Sequence, residues 1–320
     1  MTGEHLRICI PVYNDWESAS LLIDQLDAVA AGIGLPVSLL MVDDGSSEPP
    51  PRALARQPAH LRSIEVLRLR RNVGHQRAIA LGLTFIHEQR PCTAVVVMDA
   101  DGEDAPKDIP ALLERCRREG FGSIVFAARA KRSESLGFRV GYRVYKLLHR
   151  ILTGRSVEVG NFSVVPWSAL QRLVGISEIW NHYAAAVYNA RLPVVQVPVP
   201  RAKRLAGESR MNFVALVTHG LSAISVFSES VGVRMLVATS VVMGIALVAL
   251  AATITVRLWT DLAISGWATT AAGLLGVLLV NLFLVLTLAV VFVLQSRDRY
   301  SFLPLRDYQH YILEATTLHG

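Results

Sequence analysis

The sequence is poor in cysteine and lysine. Its three cysteines, Cys9, Cys92 and Cys116, form no close pair among the 320 residues. This odd, scattered set argues against a disulfide framework and a zinc site, and it is typical of reduced thiols in a cytosolic core. Only four of the 32 basic residues are lysine, an arginine bias that favours a bacterium with a GC-rich genome.

Charge is missing from two long stretches. Residues 235–256 and 269–294 contain no Asp, Glu, Lys or Arg. Each exceeds the roughly 20 apolar residues that cross a bilayer, and neither shows the polar face of a buried core helix. They predict a transmembrane hairpin over residues 231–296. The mean hydropathy of +0.39 is correspondingly high for a soluble enzyme.

The ends of this hairpin predict its orientation. The connection 257–268 is short, so both ends lie on one side of the membrane, and Arg297, Arg299 and Arg306 favour the cytosol although Arg257 opposes it. The apolar run 8–12 is too short for a signal peptide. We therefore expect an integral protein of the bacterial inner membrane, with the N-terminal domain and the tail 297–320 cytosolic.

Two segments have the pattern of helices that lie on a membrane. In residues 135–152, apolar and basic side chains recur at helical spacing on different faces, which suits an anionic surface. Residues 211–230 carry a second apolar stripe. The alternative for residues 135–152 is a helix that packs on the domain. A net charge of +6 suits anionic lipid, whereas nucleic acid is not expected because no basic stripe with stacking aromatics is present.

Residues 1–130 alternate apolar runs with helical patterns. The predicted strands are 6–12, 37–42, 63–68, 93–98 and 123–127, and the predicted helices are 18–31, 74–86 and 110–118. This alternation predicts an α/β domain with a mostly parallel sheet, whose ligands bind beyond the carboxyl ends of the strands. A dinucleotide-binding Rossmann domain is rejected because Gly32 and Gly34 precede a strand and lack a third glycine.

Polar groups follow the first three predicted strands. Each could be only a turn former or a helix cap. Together they suggest a nucleotide site, in which carboxylates accept hydrogen bonds from a base or ribose and the N–H groups of the turn at Gly74 approach a base or phosphate. The candidates are Pro11, Tyr13, Asn14, Asp15, Asp43, Asp44, Asn72, Gly74 and His75.

The strongest signal follows the strand 93–98. Four carboxylates, those of Asp99, Asp101, Glu103 and Asp104, lie in one short loop with Ala100. Such crowding of like charge is unfavourable without a cation. Mg²⁺ or Mn²⁺ takes oxygen ligands and bridges to phosphate, so a diphosphate-bearing substrate is expected. The alternative is a solvated acidic turn.

These motifs resemble family 2 glycosyltransferases of GT-A fold, specifically the polyprenyl-phosphate glycosyltransferases, which include dolichyl-phosphate mannose synthases and bacterial undecaprenyl-phosphate sugar transferases. The resemblance covers nearly the whole chain from Ile8. The Pro-Val-Tyr-Asn, Asp-Asp-Gly-Ser and Asp-Ala-Asp elements are shared widely, and the segment 204–210 is similar to the subgroup's Arg-x-x-Gly-x-Ser loop.

The resemblance implies a GT-A catalytic domain over residues 1–210 that transfers a sugar from a UDP- or GDP-sugar to undecaprenyl or dolichyl phosphate. It implies that Asp43 holds the base and that Asp99 and Asp101 are catalytic and bind the metal, with Glu103 as an additional candidate ligand. The residues implied for the acceptor phosphate are Arg129, also a candidate catalytic residue, Arg132, Arg204, Ser209 and Arg210.

The chain also departs from the family pattern. Asn161-Phe162 replaces a common Asp-Phe pair, which puts a base at that position in doubt because an amide takes no proton. Asn281 inside the second apolar run suggests bonding between helices and a homo-oligomer. Two alternatives remain, namely a family 2 enzyme with a non-lipid or growing glycan acceptor and a non-catalytic membrane scaffold that retains the fold.

Overall fold

The computed structural model describes residues 4–51, 54, 57–89, 91–129, 146–154, 159–200, 202–207, 213–260, 266–298 and 302–319. The chain forms two compact units. The first comprises Met1–Ser135, Val157–Val226 and Ser301–Gly320, and the second comprises Leu136–Ser156 and Phe227–Tyr300.

An eight-stranded sheet forms the centre of the first unit. Its strands are β1 (Leu6–Val12), β2 (Val37–Asp43), β3 (Leu61–Leu69), β4 (Ala94–Val97), β5 (Ile124–Arg129), β6 (Ser163–Pro166), β7 (Val194–Val199) and β8 (Ile312–His319). Their order is β7-β5-β6-β4-β1-β2-β3-β8. Four neighbouring pairs are parallel and three are antiparallel. The predicted α/β class with a mostly parallel sheet is thereby confirmed.

Helices follow most strands. The first unit contains α1 (Trp16–Ala30), α2 (His75–Gln89), α3 (Ile109–Arg118), α5 (Trp167–Leu173), α6 (Tyr183–Asn189), α7 (Phe213–Ser225) and α10 (Pro304–Asp307). The second contains α4, helical over 146–153, with α8 (Ser228–Trp259) and α9 (Trp267–Asp298). Single 3₁₀ turns span Pro106–Asp108, Ser177–Trp180 and Tyr308–Tyr311.

The sheet is buried on both faces. Successive side chains of β1 point to opposite sides, so that Ile8 and Ile10 join a core cluster with residues of α1 and α3, and Cys9 joins another with residues of α2. Gly82 lets α2 approach closely, because a Cβ there would lie 2.5 Å from Cys9 Sγ. The two layers fix the strand ends that carry the site.

The C-terminal segment is part of this sheet. We predicted residues 297–320 as a separate tail, but β8 pairs antiparallel with β3 and places Thr317 beside Glu65. Phe302 also stacks on Trp180 with ring centroids 3.8 Å apart, and Tyr311 lies 4.9 Å from Trp180. The strand completes an edge that would otherwise present unpaired backbone groups.

The second unit contains two helices long and apolar enough to cross a membrane. The helices Ser228–Trp259 and Trp267–Gln295 contain 18-residue stretches with mean hydropathies of 2.4 and 3.1, and each helix extends beyond its predicted stretch. A Cβ on Gly232 would lie 2.3 Å from Val293 Cγ2, so glycine allows α8 and α9 to pack closely. Asn281 Nδ2 donates to Val277 O in its own helix at 2.8 Å. The homo-oligomer stays a prediction.

Within the second unit, α4 is bound to the start of α8. Arg234 Nη1 donates to Ile151 O at 3.1 Å, and a Cβ on Gly154 would lie 2.1 Å from the Arg234 guanidinium. Leu147, Leu148 and Ile151 are exposed, as expected for a helix at a membrane surface. The predicted pattern begins at residue 135, but residues 130–145 lie outside the described part of the chain. We predicted this helix within the first domain, whereas it groups with the hairpin.

Candidate functional site

The carboxyl ends of three parallel strands meet at one edge of the sheet. Val12 of β1 lies beside Asp43 of β2, and Cys9 of β1 lies beside Val97 of β4. The loops that follow β1, β2 and β4 carry most of the predicted site residues. This is the edge at which open parallel sheets bind ligands.

Asn14 joins the loops after β1 and β2. Its N–H donates to Ser46 Oγ at 2.9 Å, and its Oδ1 accepts from the N–H of Ser47 at 2.9 Å. Its φ of +51° is one that asparagine adopts more readily than most residues. These bonds and this backbone conformation show that Asn14 shapes the loop. Pro11 lies within β1, and the exposed side chain of Tyr13 lies at the rim of this edge.

Asp43 is fully buried at the end of β2. Its Oδ1 accepts from the N–H of Ser46 at 2.8 Å. Its Oδ2 has no hydrogen-bond partner among the residues that the structure describes, and Arg68 Nε lies 3.7 Å away. A buried acceptor without a donor is costly, so Asp43 retains the capacity to bind one.

Asp44 fixes the turn before α2. One oxygen accepts from the N–H of Val73 at 2.7 Å and the other from Gly74 at 2.9 Å. Burial raises the pKa of Asp44, although these hydrogen bonds oppose the rise. Contrary to expectation, these two N–H groups are therefore engaged by Asp44 instead of facing a base or phosphate. Asn72 is exposed in the same turn.

The loop after β4 is held by its own carboxylates. Asp101 Oδ1 accepts from the N–H of Glu103 at 3.0 Å, and Asp104 Oδ2 accepts from the N–H of Asp99 at 3.1 Å. Burial raises the pKa of Asp101, and the charges of Asp99 and Glu103 raise it further. Ala100 is buried between the two candidate ligands. The loop thus concentrates negative charge in side chains that are only partly exposed to water.

Arg204 links this loop to the start of α1. Its Nη1 donates to Asp101 Oδ2 at 3.2 Å, its Nη2 pairs with Asp15 Oδ2, and its Nε donates to Ala206 O at 2.8 Å. Asp15 precedes α1, yet its side chain makes no capping hydrogen bond to the described helix. Its carboxylate contacts Arg204 instead.

The backbone around Arg204 reinforces the contact. Leu205 N–H donates to Asp101 O at 2.9 Å, and Ala202 N–H donates to Glu103 O at 3.1 Å. Gly102 has a φ of +81°, and a Cβ there would lie 2.3 Å from Leu205 Cγ. Only glycine permits this approach without strain. The segment 202–207 therefore packs directly on residues 99–104, the acidic loop.

His75 faces Asp99 from the first turn of α2. Its Nε2 lies 3.1 Å from Asp99 Oδ1 and 3.0 Å from Asn161 Nδ2, and Asn161 Nδ2 lies 3.4 Å from Asp99 Oδ1. Desolvation lowers the pKa of His75, but the carboxylates of Asp99, Asp44 and Asp101 outweigh it, so the pKa is raised. The ring of His75 therefore lies within hydrogen-bond distance of both Asp99 and Asn161.

The residues at this edge fit a divalent cation that is shared with a substrate. Within the described ranges, no three His, Cys, Asp or Glu side chains are arranged to hold a metal by themselves. Mg²⁺ is usually held by one or two carboxylates and completed by substrate phosphates and water. Asp99 and Asp101 would supply those two carboxylates, and a cation would neutralise the charges of Asp99 and Glu103 that, after burial, help to raise the pKa of Asp101.

Part of the predicted acceptor site cannot be placed. Arg132, Ser209 and Arg210 lie outside the described residues, as does the side chain of Arg129 at the end of β5. Sequence reasoning also missed two features. It did not join Arg204 to Asp15, and it overlooked Gln76, whose Nε2 donates to Asn161 Oδ1 at 3.1 Å. In the sequence, the contact between Gln76 and Asn161 was signalled only by the departure of Asn161 from the family pattern.

Comparison with known proteins gives three findings. A protein-family model described as glycosyl transferase family 2 matches residues 7–179. The undecaprenyl-phosphate 4-deoxy-4-formamido-L-arabinose transferase of Klebsiella pneumoniae is 27% identical over 219 residues, which cover 66% of this chain and 64% of the relative. The protein of the same name from Pectobacterium carotovorum is 33% identical over 156 residues, covering 48% and 46%.

Among solved structures, the mannosyl-3-phosphoglycerate synthase of Rubrobacter xylanophilus matches with a TM-score of 0.51 and 18% identity, covering 70% of this chain and 72% of the other. This likeness supports the GT-A fold. The chain spans less than two thirds of the length of the curated relatives, 64% for the Klebsiella protein.

Proposed function

Because the chain belongs to glycosyl transferase family 2, we propose that it transfers a sugar from a UDP- or GDP-sugar to the phosphate of a polyprenyl lipid. The names of the relatives favour undecaprenyl phosphate as the acceptor. One observation carries the proposal. Arg204, proposed to bind the acceptor phosphate, contacts Asp101, proposed to bind the metal, and the same chain has two candidate membrane spans.

The nucleoside would bind at the ends of β1 and β2. The buried Oδ2 of Asp43 is an acceptor for an N–H of the base. Asp44 would position the turn at Val73 and Gly74 beside this subsite, because it accepts hydrogen bonds from both of their N–H groups. The remaining residues proposed for this subsite are Pro11, Tyr13, Asn14, Asp15, Asn72, Gly74, His75 and Ala100.

The diphosphate would bind at the acidic loop. Asp99 and Asp101 would hold Mg²⁺ or Mn²⁺, and Glu103 is an additional candidate ligand. When bound, the cation supplies positive charge that stabilises the departing diphosphate. Arg204 adds a second positive charge beside Asp101.

In the reaction, an oxygen of the lipid phosphate forms a bond to the anomeric carbon, while the bond from that carbon to the nucleoside diphosphate breaks. The lipid phosphate is largely ionised near neutral pH, so it needs no general base. The amide of Asn161 is compatible with this chemistry. Cationic groups reduce the repulsion between the two anions, and those proposed are Arg129, Arg132, Arg204 and Arg210, with Ser209 as a donor.

The membrane supplies the acceptor. We place α8 and α9 in the bacterial inner membrane, with the sheet domain and the C-terminal segment in the cytosol. The exposed Leu147, Leu148 and Ile151 of α4, with Val217 and Leu221 of α7, support contact with the membrane surface. A net charge of +6 supports attraction to anionic lipid.

The decisive experiment uses the full chain in detergent with Mn²⁺, undecaprenyl phosphate and a panel of UDP- and GDP-sugars. We expect a glycolipid product by mass spectrometry from at least one donor. Asp99→Asn should lower kcat by about 100-fold, equivalent to about 3 kcal/mol of transition-state stabilisation. Glu114→Gln, which alters only exposed ion pairs on α3, is the matched control.

Two outcomes would contradict the proposal. Transfer only to soluble or growing glycan acceptors would show a different acceptor class. Full biological activity of Asp99→Asn would indicate a scaffold that retains the fold without catalysis.

A further inference from the structure

A chain of hydrogen bonds runs from the core of the first unit to Asp99. The N–H of Tyr183 donates to Gln76 Oε1 at 2.7 Å, and Gln76 Nε2 donates to Asn161 Oδ1 at 3.1 Å. Asn161 Nδ2 then lies 3.4 Å from Asp99 Oδ1. Tyr183, Gln76 and Asn161 are all buried, so water competes little for these bonds.

The direction of this chain is fixed by its chemistry. A backbone N–H can only donate, so the atom of Gln76 that faces Tyr183 N must be the oxygen. The nitrogen of Gln76 must then face Asn161, whose facing atom must in turn be an oxygen. The remaining atom, Asn161 Nδ2, is therefore the one directed at Asp99 and His75.

Tyr183 also holds the backbone of Asn161, through Ser163. Ser163 Oγ donates to Asn161 O at 2.9 Å and lies 2.7 Å from Tyr183 Oη. Because the single hydroxyl hydrogen of Ser163 is used for Asn161 O, the hydroxyl of Tyr183 donates to Ser163. Tyr183 thus restrains both the backbone and the amide of Asn161.

We propose that Gln76 and Asn161 are positioning residues for the acidic loop. Asn161 donates to Asp99 and so orients the carboxylate that holds the cation, and Gln76 keeps the amide of Asn161 turned in that direction. The amide does this without adding a charge beside Asp99 and Asp101. The inference rests on the proposed function, since it assigns the cation to Asp99.

Two substitutions test the direction of the bonds. Gln76→Glu keeps an acceptor for Tyr183 N but removes the donor to Asn161, so the amide turns and presents its oxygen to Asp99. Asn161→Ala removes the donor altogether. Gln89→Glu is the matched control, because Gln89 is exposed at the other end of the same helix.

The full chain in detergent is assayed from about pH 7 to pH 9, and the effect of Gln76→Glu is read at the alkaline end, because burial raises the pKa of a glutamate. Binding of Mn²⁺ in the presence of UDP or GDP is followed by the electron paramagnetic resonance of free Mn²⁺. The kcat and the KM for each substrate are measured separately, and thermal melting checks the fold. Asn161→Ser replaces Asn161→Ala if the alanine variant melts early.

We expect the Mn²⁺ affinity and kcat to fall about 10- to 100-fold in either single variant, with the KM for the lipid unchanged and Gln89→Glu like the wild type. The double variant should be no worse than the worse single variant, because Gln76 acts through Asn161.

Additive losses, or wild-type Mn²⁺ affinity in variants that melt normally, would overturn the positioning role while leaving sugar transfer intact. A wild-type protein that neither binds Mn²⁺ nor transfers sugar would instead overturn the proposed function, and the positioning role with it.

Discussion

Arg204 uses three nitrogen atoms for three different partners. Its Nε, Nη1 and Nη2 contact Ala206 O, Asp101 and Asp15 respectively. A lysine has one nitrogen on a flexible stem and cannot reproduce this fork. We expect Arg204→Lys to lower kcat/KM by about 10-fold, since about 1.4 kcal/mol corresponds to one lost charged hydrogen bond. Steady-state kinetics with a saturating lipid acceptor measure the effect.

The control for this change is Arg115→Lys. Arg115 is exposed on α3, where its Nη2 lies 2.8 Å from Glu119 Oε1, and surface pairs of this kind contribute little to stability. Its kinetics should not change. Equal activity of Arg204→Lys and Arg115→Lys would refute the importance of the fork.

His5 makes stability depend on pH. Its Nε2 lies 2.8 Å from Ser38 Oγ, and burial, with Arg7 and Arg62 nearby, lowers its pKa from 6.5 to about 4. The unfolded chain therefore binds the proton more readily than the folded chain. Stability is present in full above pH 6.5 and is lost as the pH falls from 6.5 towards 4.

We expect the wild type to lose about 1 kcal/mol more stability than His5→Gln between about pH 7 and pH 5, after allowance for partial exposure of the ring. The thermal midpoint in detergent, measured across this range, reports the difference. Parallel pH profiles for the two proteins would count against the assignment to His5.

At the residue scale, the sequence indicated candidate ligand residues better than it indicated which side chains touch each other. Asp99 and Asp101 could be proposed as metal ligands from the sequence because one buried apolar strand leads into a loop of four carboxylates. The contact between Asp15 and Arg204 was not, since 189 residues separate them and only the folded chain brings them together. Gln76 was missed because a single amide in an amphipathic helix has no pattern of its own.

At the scale of elements, predictability followed burial. Strands β1, β2 and β4 are buried at every residue, so their apolar runs were visible in the sequence. β8 is mostly exposed and is a strand because β3 offers it an edge. The helices α8 and α9 were predicted by composition but extend beyond the uncharged runs, because charged residues at their ends remain helical.

The attachment of the C-terminal segment makes a measurable prediction. Phe302 stacks on Trp180, and Arg77 Cζ lies 5.1 Å from the centre of the same Trp180 ring. We expect Phe302→Ala to lower the free energy of unfolding by about 2 kcal/mol, through lost apolar burial and lost stacking. Leu303→Ala, at a neighbouring exposed residue, should have little effect. Equal thermal midpoints for the two variants would show that the aromatic cluster does not hold the segment.

At the scale of the whole molecule, the two units have separate duties under our proposal. The first carries the acidic loop and the second carries the candidate spans. β8 returns the chain to the first unit after α9, so the segments before and after the hairpin belong to one folded body. A folded body cannot lie on both sides of a bilayer, which supports a hairpin with both ends on the same side.

The side can be determined by cysteine labelling without removing native cysteines. Cys9, Cys92 and Cys116 are buried with pKa values raised to about 12 by burial, so they react poorly. In spheroplasts, a membrane-impermeant maleimide should label Thr260→Cys, at the exposed end of α8, without permeabilisation. Glu114→Cys, exposed on α3, should be labelled only after permeabilisation. The reverse pattern would place the acidic loop in the periplasm, away from cytosolic nucleoside-diphosphate sugars, and labelling of both from outside would contradict the two-span hairpin.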